Sequence, residues 1–236
     1  MLDRPNPHIN YVDGPILEEK YFSFVGLYPI PLVYGMSIGE LALMILGEKW
    51  LDQKVDLLVV PCANYTRKDN YVLPIPPSPN LSTALAIALY PSLGILEGTV
   101  VSEGRGTQKP FTCFGFPEKL SQKKWGNCSF IPQKNTASLH PKFLNQNCQG
   151  LCLDLIQDEK LLYPQKINWS YLEMAFENFA DKENFFLNSD FFEKLTGTAQ
   201  IRKTLLSGGK MADLEPIWQE KIADFLAKRQ KYLLYP

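Results

Sequence analysis

Ser37-Ile-Gly-Glu40, running on through Leu41-Ala-Leu-Met-Ile-Leu-Gly47 and then to Val55-Asp-Leu-Leu-Val-Val-Pro61, is the stretch on which the reading of the fold turns. Ser37 followed three residues later by Glu40 is a capping box, in which each side chain satisfies the other's backbone N–H. Leu41, Ala42, Met44 and Ile45 then supply an apolar face and Gly47 a stop. Val55–Pro61 lacks the alternation of a half-exposed strand. A continuous apolar run of this length predicts a strand covered on both faces, as in a parallel sheet.

Outward from this helix–strand pair the same alternation continues. Ser82 or Thr83 caps a short helix over Ala84–Leu89, Pro91 ends it, and Leu93–Leu96 reads as another short apolar strand. Helix and strand at this spacing predict an α/β fold, here a partial Rossmann-like parallel sheet. Upstream, Leu2-Asp-Arg-Pro-Asn-Pro7 reads as a strand end emptying into a loop, and Pro74-Ile-Pro-Pro-Ser-Pro-Asn80 forces a shaped loop. The texture changes near Pro117 to lysine, asparagine and proline. This predicts two domains: residues 1–116, the second half of a Rossmann-like domain whose first half lies upstream, and residues 117–236, a smaller α+β domain. In the latter, Gly150–Ile156 reads as a strand. Asn168 caps a helix with Trp169, Leu172, Ala175, Phe176 and Phe179 on its face. A helix starts near Thr198, and another opens at Asp213 with Ile217, Ile222, Phe225 and Leu226 as its stripe.

Composition narrows the classes of function. The chain has 236 residues, 45% of them apolar, with 24 Lys plus Arg against 25 Asp plus Glu. That balance offers no field to recruit nucleic acid or an anionic membrane surface, and no apolar run approaches the ~18–20 residues that span a bilayer. Five cysteines at unrelated spacings argue against a disulfide framework, and with His8 and His140 as the only histidines they do not compose a zinc site. No apolar segment near the start reads as a signal peptide, so the chain as written is expected in the cytoplasm, or exported if an upstream segment directs it.

Chemistry concentrates in Glu97-Gly-Thr-Val-Val-Ser-Glu-Gly-Arg-Gly-Thr107. Alternating glycines let a backbone approach a ligand while Glu103 and Arg105 point into it. No Gly-Lys-Ser/Thr and no dinucleotide fingerprint accompany them, so no cofactor is expected. The plainer reading is a glycine-rich turn closed by a local Glu103–Arg105 ion pair. Glu97 and Glu103 do not read as a glycosidase dyad, because an extended chain holds them ~20 Å apart where such pairs need about 5–9.5 Å. Ser78 and Asn80 carry polar tips on a proline-stiffened backbone and suit hydroxyl or acetamido recognition, though turn formation explains them too. Arg4, Asn6 and Arg67 lie on loops at the presumed strand ends. Glu40 is explained as the capping-box partner.

Taken together, Leu2–Pro7, Asp13-Gly-Pro-Ile-Leu17, Ser23-Phe-Val-Gly26, Gly35-Met-Ser-Ile-Gly-Glu-Leu-Ala42, Pro77-Ser-Pro-Asn80, Glu97-Gly-Thr99, Ser102–Thr107 and Tyr232-Leu-Leu-Tyr235 occur in the order seen in the NamZ-like exo-β-N-acetylmuramidases, which the chain resembles along essentially its whole length. The resemblance implies a hydrolase that releases N-acetylmuramic acid from non-reducing ends of peptidoglycan fragments, at a cleft between a Rossmann-like and a C-terminal domain, with a further catalytic Glu upstream. On that reading Glu103 and Glu97 are the candidate catalytic residues, with Arg105, Asn80, Ser78, Arg4, Asn6 and Arg67 as candidate substrate contacts. Its partners would be a muropeptide or amino sugar, and an upstream half-domain chain or a second copy. Three places depart from the family's pattern: Val33-Tyr-Gly35, Val100, where the family usually has Asn, and Asn64-Tyr-Thr-Arg67. They leave open an altered sugar, or a non-catalytic remnant or subunit of a split enzyme.

Overall fold

The computed structural model describes residues 1–187 and 189–236. The expected helix α1, Ile38–Gly47, forms with its capping box intact: Ser37 Oγ accepts from the Glu40 amide at 3.1 Å and Glu40 Oε2 from the Ser37 amide at 2.9 Å. Ahead of it, β1 (Asp13–Ile16) and β2 (Pro31–Val33) make a two-stranded antiparallel sheet.

The parallel sheet expected from the sequence does not appear among the described residues, whose two sheets are both antiparallel. Val55–Pro61 runs extended but forms only one parallel bridge, Leu2 to Val60, with the Asp3 amide on the Val60 carbonyl at 3.0 Å and the Val60 amide on the Met1 carbonyl at 2.9 Å. Its faces are only partly covered: Leu2 and Leu58 stand 70% and 77% exposed, while Leu57 and Val59 are half-buried, Val59 beside Gly39 of α1. The apolar run has the composition of a buried strand without the neighbours that would bury it.

Leu93–Leu96 is not a strand either. Helix α2 runs over Ala84–Leu93, capped by Thr83, and continues into a 3-10 segment over Gly94–Gly98. Pro91 fails to end it because the carbonyl that loses its usual donor, that of Ile87, accepts instead from His8 Nε2 at 3.0 Å. Burial lowers the His8 pKa, the Ile87 contact opposing it in part.

Downstream, β3 (Cys113–Pro117), β4 (Cys128–Phe130) and β5 (Cys148–Cys152) form an antiparallel sheet ordered β3-β5-β4. Cys128 lies opposite Gly150, two residues from Cys152, and the Cys128–Cys152 pair is disulfide-bonded with its Cα atoms 5.8 Å apart. The unrelated spacings argued against a disulfide framework, and one bridge forms nonetheless: bridging depends on register across a sheet, which spacing does not reveal. Cys62, Cys113 and Cys148 remain thiols, and burial pushes the last two up to about 12.

Helices α3 (Ser170–Asn178), α4 (Ser189–Thr196), α5 (Gln200–Leu206) and α6 (Glu215–Arg229) complete the architecture. The expected face of α3 is buried throughout. On α6 the buried stripe is Trp218, Ile222 and Phe225, whereas Ile217 and Leu226 face out. One core joins residues from both sides of Pro117, including Tyr11, Leu96, Phe114, Phe116, Leu172, Phe185 and Trp218. Among the described residues no helix is long and apolar enough to cross a membrane.

Candidate functional site

The glycine-rich segment follows the 3-10 turn Gly94–Gly98 rather than a parallel strand. Ser102 exchanges both backbone hydrogen bonds with Gly115 of β3, which pins the segment against the sheet. Gly104 and Gly106 adopt φ of +78° and +80°, and a Cβ on Gly104 would lie 2.6 Å from the Lys109 carbonyl oxygen. The glycines therefore let the loop fold against its own chain, where the sequence suggested approach to a ligand.

This tight turn aims the charged side chains at one another. Arg105 Nη2 lies 3.0 Å from Glu97 Oε1 and Arg105 Nε 3.3 Å from Glu103 Oε1, so the two carboxylates expected to stay apart share one guanidinium. Glu103 is 3% exposed. Its second oxygen accepts from Lys142 Nζ at 2.9 Å, and the same ammonium donates to the carbonyls of Val101, Leu96 and Glu97 at 2.8, 3.0 and 3.3 Å. The guanidinium also lies over the Phe111 ring, 5.0 Å from its centroid, and Phe111 meets Tyr90 edge-on. The arrangement is two cations and two carboxylates, buried at Glu103 and open to solvent at Arg105, Glu97 and Lys142, whose side chains are 30%, 25% and 22% exposed. Arg105 Nη1 takes no part in it.

Tyr90 links this network to a cleft of about 490 Å³, whose walls include Phe24, Tyr34, Tyr90, Ile95 and Leu195. Burial, and after it the Glu97 carboxylate, raises the Tyr90 pKa. Asn6 reaches the same cleft, with its amide nitrogen on the Met36 carbonyl at 2.8 Å.

The remaining predicted residues lie elsewhere. Arg67 belongs to a second buried network: its Nη2 meets Glu40 Oε1 at 2.5 Å and its Nη1 the Gly35 carbonyl at 2.8 Å. Glu40, 0% exposed, also accepts from the Leu234 amide at 2.7 Å. Beside it Asp3 accepts from Ser37 Oγ (2.5 Å), Tyr235 Oη (2.6 Å) and the Gly39 and Arg4 amides (2.8 and 2.9 Å). Arg4 itself is exposed. Asn80 is buried and donates to the Ala137 carbonyl at 2.9 Å, while Ser78 Oγ accepts from the Asn80 amide at 3.2 Å; the pair ties the proline-rich loop to residues 135–138. Sequence reasoning placed Glu97, Glu103 and Arg105 in one segment and paired Glu103 with Arg105, but held Glu97 apart and missed Lys142, which lies 39 positions beyond Glu103.

The arrangement is a paired-carboxylate, arginine-braced loop that Phe111 and Tyr90 join to an aromatic-walled cleft. Comparison with known proteins gives the family. Residues 88–235 match "Exo-beta-N-acetylmuramidase NamZ, C-terminal" and residues 1–85 its N-terminal counterpart, so the chain belongs to the NamZ family. It is 37% identical over 247 residues to the peptidoglycan β-N-acetylmuramidase NamZ of Bacillus subtilis, the match covering 100% of this chain and 59% of that protein. Crystal structures of two DUF1343 family proteins from Bacteroides fragilis are similar to it, with TM-scores of 0.91 and 0.74 at 44% and 26% identity; each match covers 99% of this chain and 65% of the other.

Proposed function

We propose that the chain supplies the glycan-binding cleft of a hydrolase acting on N-acetylmuramic acid at non-reducing ends of peptidoglycan fragments. The observation that carries this reading is the convergence of Glu97 and Glu103 on Arg105, with Lys142 bracing Glu103, in a network that Phe111 and Tyr90 connect to the cleft. Held between two cations, Glu103 stabilises an oxocarbenium-like transition state or polarises the attacking water. Arg105 keeps Nη1 for an incoming anion, such as the lactyl carboxylate that distinguishes a muramyl from a glucosaminyl ring. Residues 1–116 supply most of the cleft wall, and residues 117–236 add Leu195 to it and brace Glu103 through Lys142.

The chain spans 59% of the Bacillus relative. The general acid, and the strands that make Leu2 and Val60 part of a Rossmann-like parallel sheet, are assigned in this proposal to a segment beyond the residues matched here. That segment belongs either to the same polypeptide or to a companion chain. The exposed parallel pair of residues 1–3 and 58–60 supports the assignment, since an open edge with apolar faces invites another strand. The Cys128–Cys152 bond favours maturation in an oxidising compartment over the cytoplasm.

The test is release of muramic acid from a chromogenic N-acetylmuramyl glycoside, by this chain alone and with the additional N-terminal portion of a longer relative supplied. Activity in either assay that is lost in Glu103→Gln supports the reading. Silence in both favours a non-catalytic binding role.

A further inference from the structure

Ser23-Phe-Val-Gly26, part of the family resemblance, has no role in the charged network. Its backbone is a tight two-residue turn: the Ser23 amide donates to the Gly26 carbonyl at 2.7 Å and the Gly26 amide to the Ser23 carbonyl at 3.0 Å. At the tip Phe24 is 99% exposed. Reciprocal hydrogen bonds leave such a turn little freedom to fold its side chain inward, so the ring is presented by the fold.

The ring stands at the rim of the cleft that Tyr90 joins to Arg105 and Glu103. Tyr34 and Tyr90 line the same cleft, and the raised pKa values of their hydroxyls trace first to burial and, for Tyr90, to Glu97 and Glu103. Neither hydroxyl is hydrogen-bonded among the described residues. An apolar ring and unpaired hydroxyls in one cleft match a pyranose, which offers a face of C–H bonds and an equatorial belt of hydroxyls. A bare apolar partner would leave the tyrosine hydroxyls unsatisfied.

We propose that Phe24 is a stacking platform for the second pyranose ring of a bound glycan, the terminal ring of which lies at Arg105 and Glu103. This rests on the muramyl reading above and adds the subsite that accepts the rest of the chain. Because the side chain is fully exposed, removing it leaves the core untouched.

The test is calorimetric titration of the wild-type chain, Phe24→Ala and Phe24→Trp with N-acetylmuramic acid and with the disaccharide in which that sugar is β-1,4-linked to N-acetylglucosamine. The wild type should bind the disaccharide about tenfold more tightly than the monosaccharide, on the scale of one aromatic contact. Phe24→Ala should erase that difference without changing monosaccharide affinity, and Phe24→Trp should keep it. A Phe24→Ala protein that retains the tenfold preference overturns the assignment. So does one whose sedimentation changes while both affinities hold, since the ring would then pack on a second copy. A wild type that binds the monosaccharide with no gain on the disaccharide removes the Phe24 subsite alone. Binding of neither sugar removes the muramyl reading, and the subsite with it.

Discussion

Two networks in this molecule are built from the same parts, a buried glutamate and an arginine, and they differ in what closes them. Around Glu40 every direction is taken by protein: its capping partner Ser37, Arg67, and the Leu234 and Tyr235 amides of the C-terminal segment. Around Glu103 the inner side is closed by Lys142, while the outer side ends in an arginine with part of its fork toward solvent beside a cleft. Charge and burial alone would rank Glu40 as the more unusual residue. Openness on one side is what separates a site from a fastener.

The sharpest way to break that distinction is to remove each carboxylate in turn. Glu40→Ala leaves Arg67 buried without its counter-charge, and should cost about 3–5 kcal/mol in urea unfolding. Glu103→Gln should lower hydrolysis about a hundred- to a thousandfold in the active assembly, at a stability cost of about 1–3 kcal/mol. Similar stability losses for the two would erase the contrast. Reduction of Cys128–Cys152, or its replacement by serines, should cost about 3 kcal/mol through the closed loop it releases, with three thiols titrating before reduction and five after.

Arg105→Lys tests the open side by itself. Lysine lacks the planar fork whose separate nitrogens reach Glu97 and Glu103 while leaving Nη1 for a bidentate contact, so muramyl ligands should weaken about tenfold and glucosaminyl ligands little. Equal losses on both would assign Arg105 to structure. The smallest effect concerns pH at the closed network. Burial pushes the Asp3 carboxyl upward, but hydrogen bonds from Ser37, Tyr235, Gly39 and Arg4 outweigh it and hold the group below its ordinary value of 3.8. A depressed carboxylate contributes stability above the unfolded value and loses it as pH falls through the folded one. Unfolding free energy should therefore drop more steeply from about pH 4 downward in the wild type than in Asp3→Asn.

Local patterns carried the helices well. The Ser37–Glu40 box, the Thr83 cap and the Trp169–Phe179 stripe each depend on residues within a turn or two, and each forms as read. What spacing could not supply were facts about partners. Val55–Pro61 reads as buried but is largely exposed, Pro91 is tolerated because His8 arrives from far along the chain, and the disulfide follows from register across β4 and β5. The site was legible to the same degree. Glu97, Glu103 and Arg105 sit in one segment and were found together, whereas Lys142 and Tyr90 come from separate segments. Asn80 and Arg67, candidate ligand contacts in the sequence, also tether loops in the fold, which spacing does not reveal.

The hydrogen bond from Tyr235 to Asp3 spans 232 positions of sequence. A contact that distant gains nothing until nearly the whole chain is in place, because the entropy of closing the loop is repaid only by the structure already inside it. It is therefore expected to form after the folding barrier is crossed. Weakening it should leave the refolding rate almost unchanged and accelerate unfolding, which makes this clasp a kinetic latch: it governs how long the folded molecule lasts more than how fast it is reached.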